Sequence, residues 1–175
     1  MIFKIWQYAP LSVLKQIYYS FFYPYLNYGI LLWGNACSTN IEPLRILQRK
    51  AVRAMLNKKW DTHSPPLFYK LQLLTIDDLF KLHTSLFMYD IFHKSISQSF
   101  LDMFTPLTEV HRYETRQKST QTFYLKKHRT NFKSRFISIN GIGQWEKIPI
   151  EIRSENKHIF KKKLQDIFLN TYANL

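Results

Sequence analysis

At 175 residues, 46% of them hydrophobic and 21% charged, with 4 Gly and 7 Pro, the chain can bury roughly 70% of its unfolded surface, which excludes a disordered, collagen-like or low-complexity protein. Its one cysteine, Cys37, excludes an intramolecular disulfide and a multi-cysteine zinc knuckle, and makes a reducing intracellular compartment the default expectation. A net charge of +13 and an aromatic content of 17%, from 14 Phe, 11 Tyr and 4 Trp, point toward a polyanion such as nucleic acid or an acidic membrane face, because counterion release drives such binding.

Met1 to Pro10 hold one lysine and an apolar stretch broken by Gln7. This is too short for the apolar core of a secretory signal, so the protein is not expected to be secreted. Leu11, Leu14, Ile17, Tyr18, Phe21, Phe22 and Tyr25 recur at helical spacing and predict a helix that Pro24 kinks or restarts. The window Ile17 to Trp33 is the most apolar of the chain, but its five tyrosines make it a poor membrane span. It reads as a buried helical hairpin, with Tyr25 to Trp33 packed on the first helix and ending at Gly34.

Ile41 to Lys59 reads as an amphipathic helix with Leu44, Leu47, Ala51 and Met55 on one side. Arg45, Arg49 and Arg53, each four residues apart, form a cationic stripe along one of its faces. Pro65-Pro66 is expected to break the chain. Thr75 with Asp78 three residues later predicts a capped helix from Ile76 to about Lys94, with Leu79, Leu82, Leu86 and Tyr89 as its core stripe. A short helical turn is expected around Phe100 to Phe104.

Composition changes near Thr105-Pro106 from aromatic and leucine-rich to Thr, Ser, Lys and Arg-rich, which predicts domains at 1–105 and 106–175. Residues 1–110 carry 11 Lys and Arg against 7 Asp and Glu, whereas residues 111–163 carry 14 against 4. The basic character therefore lies in the C-terminal half. Thr122 to Leu125 and Arg135 to Ile139 are β-branched or aromatic runs that predict short strands, with Gly141 and Gly143 as the following turn. Phe160, Leu164, Ile167 and Phe168 predict a last helix capped by Ser154 or Asn156, with Lys161, Lys162 and Lys163 mostly on its outer surface. The expected fold class is mainly α: a helical bundle followed by a basic α+β C-terminal extension with short strands and a final helix.

No catalytic, cofactor or metal site emerges. Asp77-Asp78 is the one adjacent acidic pair, and its place at a helix start is explained by the helix dipole. His63, His83, His93, His111, His128 and His158 lack metal-ligand spacing, Cys37 has no neighbouring base, and Gly141-x-Gly143 lacks the remainder of a nucleotide loop. No small-molecule substrate is expected. The positive signal is the interleaving of cations with rings: Arg112 with Tyr113, Tyr124 with Lys126 and Lys127, Arg129 with Phe132, and Lys133 and Arg135 with Phe136. Cations can neutralise phosphates while exposed rings stack on bases. The same residues read equally well as core aromatics beneath a solvated charged face.

Longer strings carry a resemblance. Ala9-Pro10-Leu11, Leu14-Lys15, Ile17-Tyr18-Tyr19-Ser20, Tyr23-Pro24-Tyr25-Leu26-Asn27-Tyr28-Gly29 and Trp33-Gly34 are followed by Leu44 with Leu47-Gln48-Arg49-Lys50-Ala51-Val52-Arg53. Then come Leu67-Phe68-x-x-Leu71, Asp78-Leu79-x-Lys81-Leu82 with Leu86-Phe87-Met88-Tyr89, and His111-x-Tyr113-x-Thr115-Arg116. Gly143-x-Trp145 with Ile148-Pro149, Ile152-Arg153 and Phe160-Lys161-Lys162-Lys163-Leu164 complete the order. Together they resemble the thumb-proximal C-terminal segment of non-LTR retrotransposon (LINE, jockey-like) reverse transcriptases, over about Ala9 to Tyr172. Two departures stand beside the likeness: Gly143 precedes Gln144 where the family carries Gly-Pro-x-x-Trp, and Glu146-Lys147 replaces Asn-Ser.

The resemblance implies a helical thumb that holds template-primer nucleic acid, an RNA–DNA hybrid or RNA, followed by a basic extension. It implies that the fingers and palm, with their catalytic aspartates and Mg2+, are partners outside this chain, which should not polymerise DNA by itself. It also implies that Arg45, Arg49 and Arg53 contact the nucleic-acid backbone, with Lys126, Lys127, Arg129, Lys133 and Arg135 as a second basic surface. Two other classes stay open: a basic helical interaction module or decayed element product without activity, and a peripheral membrane protein anchored by aromatic helices and a basic tail. The expected location is intracellular, nuclear or cytoplasmic.

Overall fold

A computed structural model describes residues 5, 7–110 and 122–173, and these are mainly helical. The Arg112–Tyr113 pair and the string from His111 to Arg116 lie outside the described residues. By its packing the chain divides into two compact units, Met1–Phe80 with Leu164–Leu175, and Lys81–Lys163. The change of composition at Thr105-Pro106 falls inside the second.

The first unit opens with the helix Leu11–Ile17, a π-helical turn Tyr18–Phe22 and a further α-helical stretch Tyr23–Asn27. Pro24 has no N–H to donate and its ring crowds the carbonyl four residues back. The wider turn accommodates it, with the Tyr23 N–H returning five residues to the Tyr18 carbonyl. After the extended Tyr28, Gly29 adopts φ +62°, a left-handed conformation that favours glycine, and the short helix Ile30–Trp33 follows. The Trp33 Nε1–H donates to the Tyr28 carbonyl at 2.8 Å. A Cβ on Gly34 would lie 2.5 Å from the Ile30 carbonyl oxygen and 2.5 Å from the Phe80 ring, so only glycine fits there. The hairpin is buried on one side alone: Leu14, Tyr18, Leu26 and Ile30 are inside, whereas Phe21, Tyr25, Tyr28 and Leu32 are exposed.

The next helix, Ser38–Met55, starts earlier and ends earlier than its periodicity predicts. It stops where Asn57 takes φ +50° and the Lys58 N–H returns to the Arg53 carbonyl at 2.9 Å. Ile41, Ala51, Val52 and Met55 enter the core, while Leu47 remains 51% exposed. Pro65-Pro66 does not break the chain; it opens the helix Pro65–Leu71, whose first N–H groups have no intrahelical partner in any case. Among the described residues of this unit, one core cluster gathers around Leu14, Tyr18, Val52, Met55, Phe68 and Tyr172, and another around Leu26, Ile30, Ile41, Ile76, Leu79 and Phe80.

Thr75 and Asp78 start the helix Ile76–Phe92 as their spacing predicts, with the Asp78 N–H donating to Thr75 Oγ1 at 3.3 Å. The closing half of the cap comes from elsewhere: the Thr75 N–H donates to the Tyr172 hydroxyl at 3.2 Å, and that hydroxyl donates to the Asp78 carboxylate. Burial, and then the hydrogen bond to Asp78, push the Tyr172 phenol above its ordinary value of 10.0. Tyr172→Phe should cost about 1–2 kcal/mol in urea unfolding, since it leaves a buried carboxylate and an N–H each short of a partner.

In the second unit the expected strands are absent. Thr122 to Leu125 contributes one isolated antiparallel bridge, Phe123 to Pro106, flanked by Leu107 N–H to Thr122 carbonyl at 3.1 Å and Tyr124 N–H to Thr105 carbonyl at 2.8 Å. The run Arg135 to Ile139 instead leads from the short helix Asn131–Ser134 into the helix Ile137–Trp145. Ile139, Ile142 and Trp145 are buried at three-residue spacing, so the helical period of the apolar residues overrides their local β preference. Gly141 and Gly143 consequently lie inside a helix and make no turn. A Cβ at Gly141 would approach the Met88 sulfur to 2.9 Å, so this helix packs closely there and a larger residue would make the Met88 side chain shift.

Trp145 is fully buried, with ring centroids 5.4 Å from Phe92 and 6.0 Å from Phe160. Arg153, 5% exposed, lies 5.3 Å over the Trp145 ring and donates from Nε to the Ile148 carbonyl at 2.9 Å. Glu146 accepts from the Thr122 N–H at 2.8 Å and pairs with Arg153 at 3.4 Å, so it has a structural task. Asn156 caps the final helix Lys157–Ala173, its Oδ1 accepting from the His158 N–H at 3.1 Å. Lys161, Lys162 and Lys163 face outward; Phe160, Leu164, Leu169 and Tyr172 are buried, and Ile167 is largely outside.

Burial pushes the His83 imidazole below its ordinary value of 6.5, and the charge of Lys161 adds to the shift. The unfolded chain therefore binds this proton first as pH falls. His83 costs nothing above about pH 6.5 and withdraws stability below it. His83→Gln should flatten the loss of stability between about pH 7 and pH 5, read from urea midpoints across that range.

Candidate nucleic-acid interface

The helix Ser38–Met55 carries Arg45, Arg49 and Arg53 on one side, but their surroundings differ. Arg45 grips Asp77 with two parallel hydrogen bonds, Nε to Oδ2 at 2.9 Å and Nη2 to Oδ1 at 2.6 Å. Its Nη1 reaches Glu42 and Ser38 Oγ, both at 3.1 Å. Asp77 foremost holds the guanidinium in its charged form, and the hydrogen bonds from Arg45 and Arg49 hold the Glu42 carboxyl below its ordinary value. Arg45 is thus a strut between two helices. Arg49 also binds Glu42, whereas Arg53 donates from Nε to the neutral Thr62 carbonyl at 2.8 Å and has no ion-pair partner among the described residues.

Past the left-handed turn at Asn57 the chain folds back beside this helix. Ile46, Arg49, Lys50, Arg53, Lys58 and Trp60 line a groove of about 290 Å³. Four of its six lining residues are cationic and none is acidic. Lys50 and Lys58 have no ion-pair partner among the described residues. Trp60 is 87% exposed. Lys50, Lys58 and Trp60 are absent from the arginine stripe read from the sequence. Lys50 could have been found, since it sits three residues before Arg53 and four after Ile46 on one helical face. Lys58 and Trp60 reach the groove through a turn that periodicity does not encode.

In the second unit Lys126, Lys127, Arg129, Lys133 and Arg135 are all exposed, along the irregular segment 124–130 and the short helix Asn131–Ser134. Thr130 caps that helix, its hydroxyl accepting from the Lys133 N–H at 3.3 Å. Phe132 and Phe136 are exposed among these cations, edge to face with centroids 5.2 Å apart. Here the aromatics belong to the surface, whereas Phe123 is core.

Over 75 residues the chain is 31% identical to the probable RNA-directed DNA polymerase from transposon X-element of Drosophila melanogaster. The match covers 43% of this chain and 8% of that protein, so the chain spans a small part of its relative's length. No family model and no solved structure matches. The likeness supports a relationship to a retrotransposon reverse transcriptase. Among the described residues no group of His, Cys, Asp or Glu is placed to hold a metal ion. Asp77 and Asp78 are occupied by Arg45 and by Thr75 with Tyr172. No helix among the described residues is long and apolar enough to cross a membrane.

Proposed function

We propose that the chain is a thumb and post-thumb segment of a non-LTR retrotransposon reverse transcriptase, holding template-primer nucleic acid without supplying the catalytic aspartates. The observation that carries this reading is the groove in which Arg49, Lys50, Arg53 and Lys58 converge beside an exposed Trp60 with no acid in the lining. Cations so arranged displace counterions from a phosphate backbone, giving binding that is salt-sensitive and weakly sequence-specific. Lys126, Lys127, Arg129, Lys133 and Arg135 form the second contact surface, in the basic C-terminal region. The fingers and palm are the protein partners, and the exposed side of the first helices, with Phe21, Tyr25 and Leu32, faces them. Mg2+ belongs to that palm, and the location is intracellular, in nucleus or cytoplasm.

Lys50→Ala combined with Lys58→Ala tests the groove, because both side chains are exposed and neither has an ion pair among the described residues. The double variant should weaken binding to an RNA–DNA hybrid about tenfold and lower the slope of log affinity against log salt by about 2. Unchanged affinity and slope would remove the groove from the binding surface. Arg45→Ala is a different experiment, since it breaks the Asp77 and Glu42 pairs and acts on stability.

A further inference from the structure

We propose that the Trp60 groove takes a single strand of nucleic acid, stacking one base on the indole while Arg49, Lys50, Arg53 and Lys58 hold the phosphates on either side. This rests on the nucleic-acid reading above and names its substrate class. Tryptophan is ordinarily among the most buried residues by area, and Trp145 here is fully buried. Trp60, at 87% exposed, gives most of its ring to solvent at the mouth of a cationic groove. Apart from its charges the lining is carbon: Ile46, the indole and the alkyl stems of the basic residues. The one carboxylate adjacent in sequence, Asp61, lies outside it.

A backbone-binding groove needs cations and no ring. A duplex, moreover, keeps the faces of its bases inside its own stack, so it could not use Trp60. A single strand offers both a phosphate line and a free π-face, and every base has one, which makes the site tolerant of sequence. The groove volume, about 290 Å³, is at the lower end of small-ligand sites and suits one nucleotide.

The test uses the full chain with three fluorescent probes of equal charge: a single strand and a phosphodiester strand lacking bases, each about twenty nucleotides long, and a duplex of about ten base pairs. Trp60→Ala should weaken single-strand binding about tenfold, leave the other two probes within about twofold, and be largely rescued by Trp60→Tyr. The Lys50→Ala, Lys58→Ala variant should weaken all three. If Trp60→Ala leaves the single strand unaffected while the lysine variant weakens it, the stacking inference is overturned and backbone binding stands. If the folded chain binds none of the probes, the proposed function itself fails.

Discussion

Gln48→Leu is expected to destabilise the first unit by about 3 kcal/mol or more, the combined effect of several buried polar groups losing their partner. Gln48 is 2% exposed and uses its whole amide. Nε2 donates to the Tyr18 hydroxyl at 3.0 Å and to the Leu74 carbonyl at 2.9 Å, and Oε1 accepts from the Ile76 N–H at 2.9 Å. One side chain thereby ties the first helical stretch to the segment that opens the helix Ile76–Phe92. The three bonds also fix which end of the amide is oxygen, since only Oε1 can accept. Burial pushes the Tyr18 phenol up to about 12, so it serves Gln48 as a neutral acceptor. Leucine matches the volume but leaves an N–H, a carbonyl and a hydroxyl without that partner in a low-dielectric interior. Tyr18→Phe removes one bond of the set and should cost only about 1 kcal/mol. Urea unfolding of both variants decides it: near-equal midpoints would mean that the network does not hold the unit together.

The second large effect is expected from Trp145→Ala, about 4 kcal/mol in the second unit. The indole fills the space between Phe92 and Phe160, and the Arg153 guanidinium lies over it. Truncation opens a cavity and strips a nearly buried cation of its ring, so lost packing and lost cation–π attraction act together. The indole N–H has no hydrogen-bond partner among the described residues. Trp145→Phe therefore loses volume and no hydrogen bond, and should retain most of the stability. Hydrogen exchange at the buried helices of residues 81–163 reads the effect where it arises. Equal loss in the two variants would show that the ring volume a phenylalanine restores does not set the effect.

The long helices were legible because their apolar residues repeat at 3.6, and the Thr75 cap because capping is a local event, whereas the choice of Asn156 over Ser154 came from the structure. What failed was local in reading and tertiary in cause. Arg135 to Ile139 looks like a strand, and the two glycines after it look like a turn, until the burial of Ile139, Ile142 and Trp145 shows one helical face. Pro65-Pro66 has the local chemistry of a break, yet it begins a helix because the first turn needs no N–H there. At the candidate site, periodicity found the arginine stripe but could not tell its members apart. Arg45 meets Asp77, 32 residues away, and that contact separates a structural arginine from the groove. Gln48 lies between Arg45 and Arg49 in sequence and looks polar and unremarkable, yet it is buried and makes three hydrogen bonds inside the first unit. Trp60, in a segment without period, had no signal beyond its residue type.

Whether this chain binds template-primer nucleic acid through its basic surfaces is decided by one titration. The purified chain is bound to a fluorescent RNA–DNA hybrid across a salt series, with anionic vesicles as the competing polyanion. Four groove cations predict a slope of log affinity against log salt of about −3 or steeper, with much weaker vesicle binding. A folded chain that leaves the hybrid free at low salt, or that prefers the vesicles, would contradict the account.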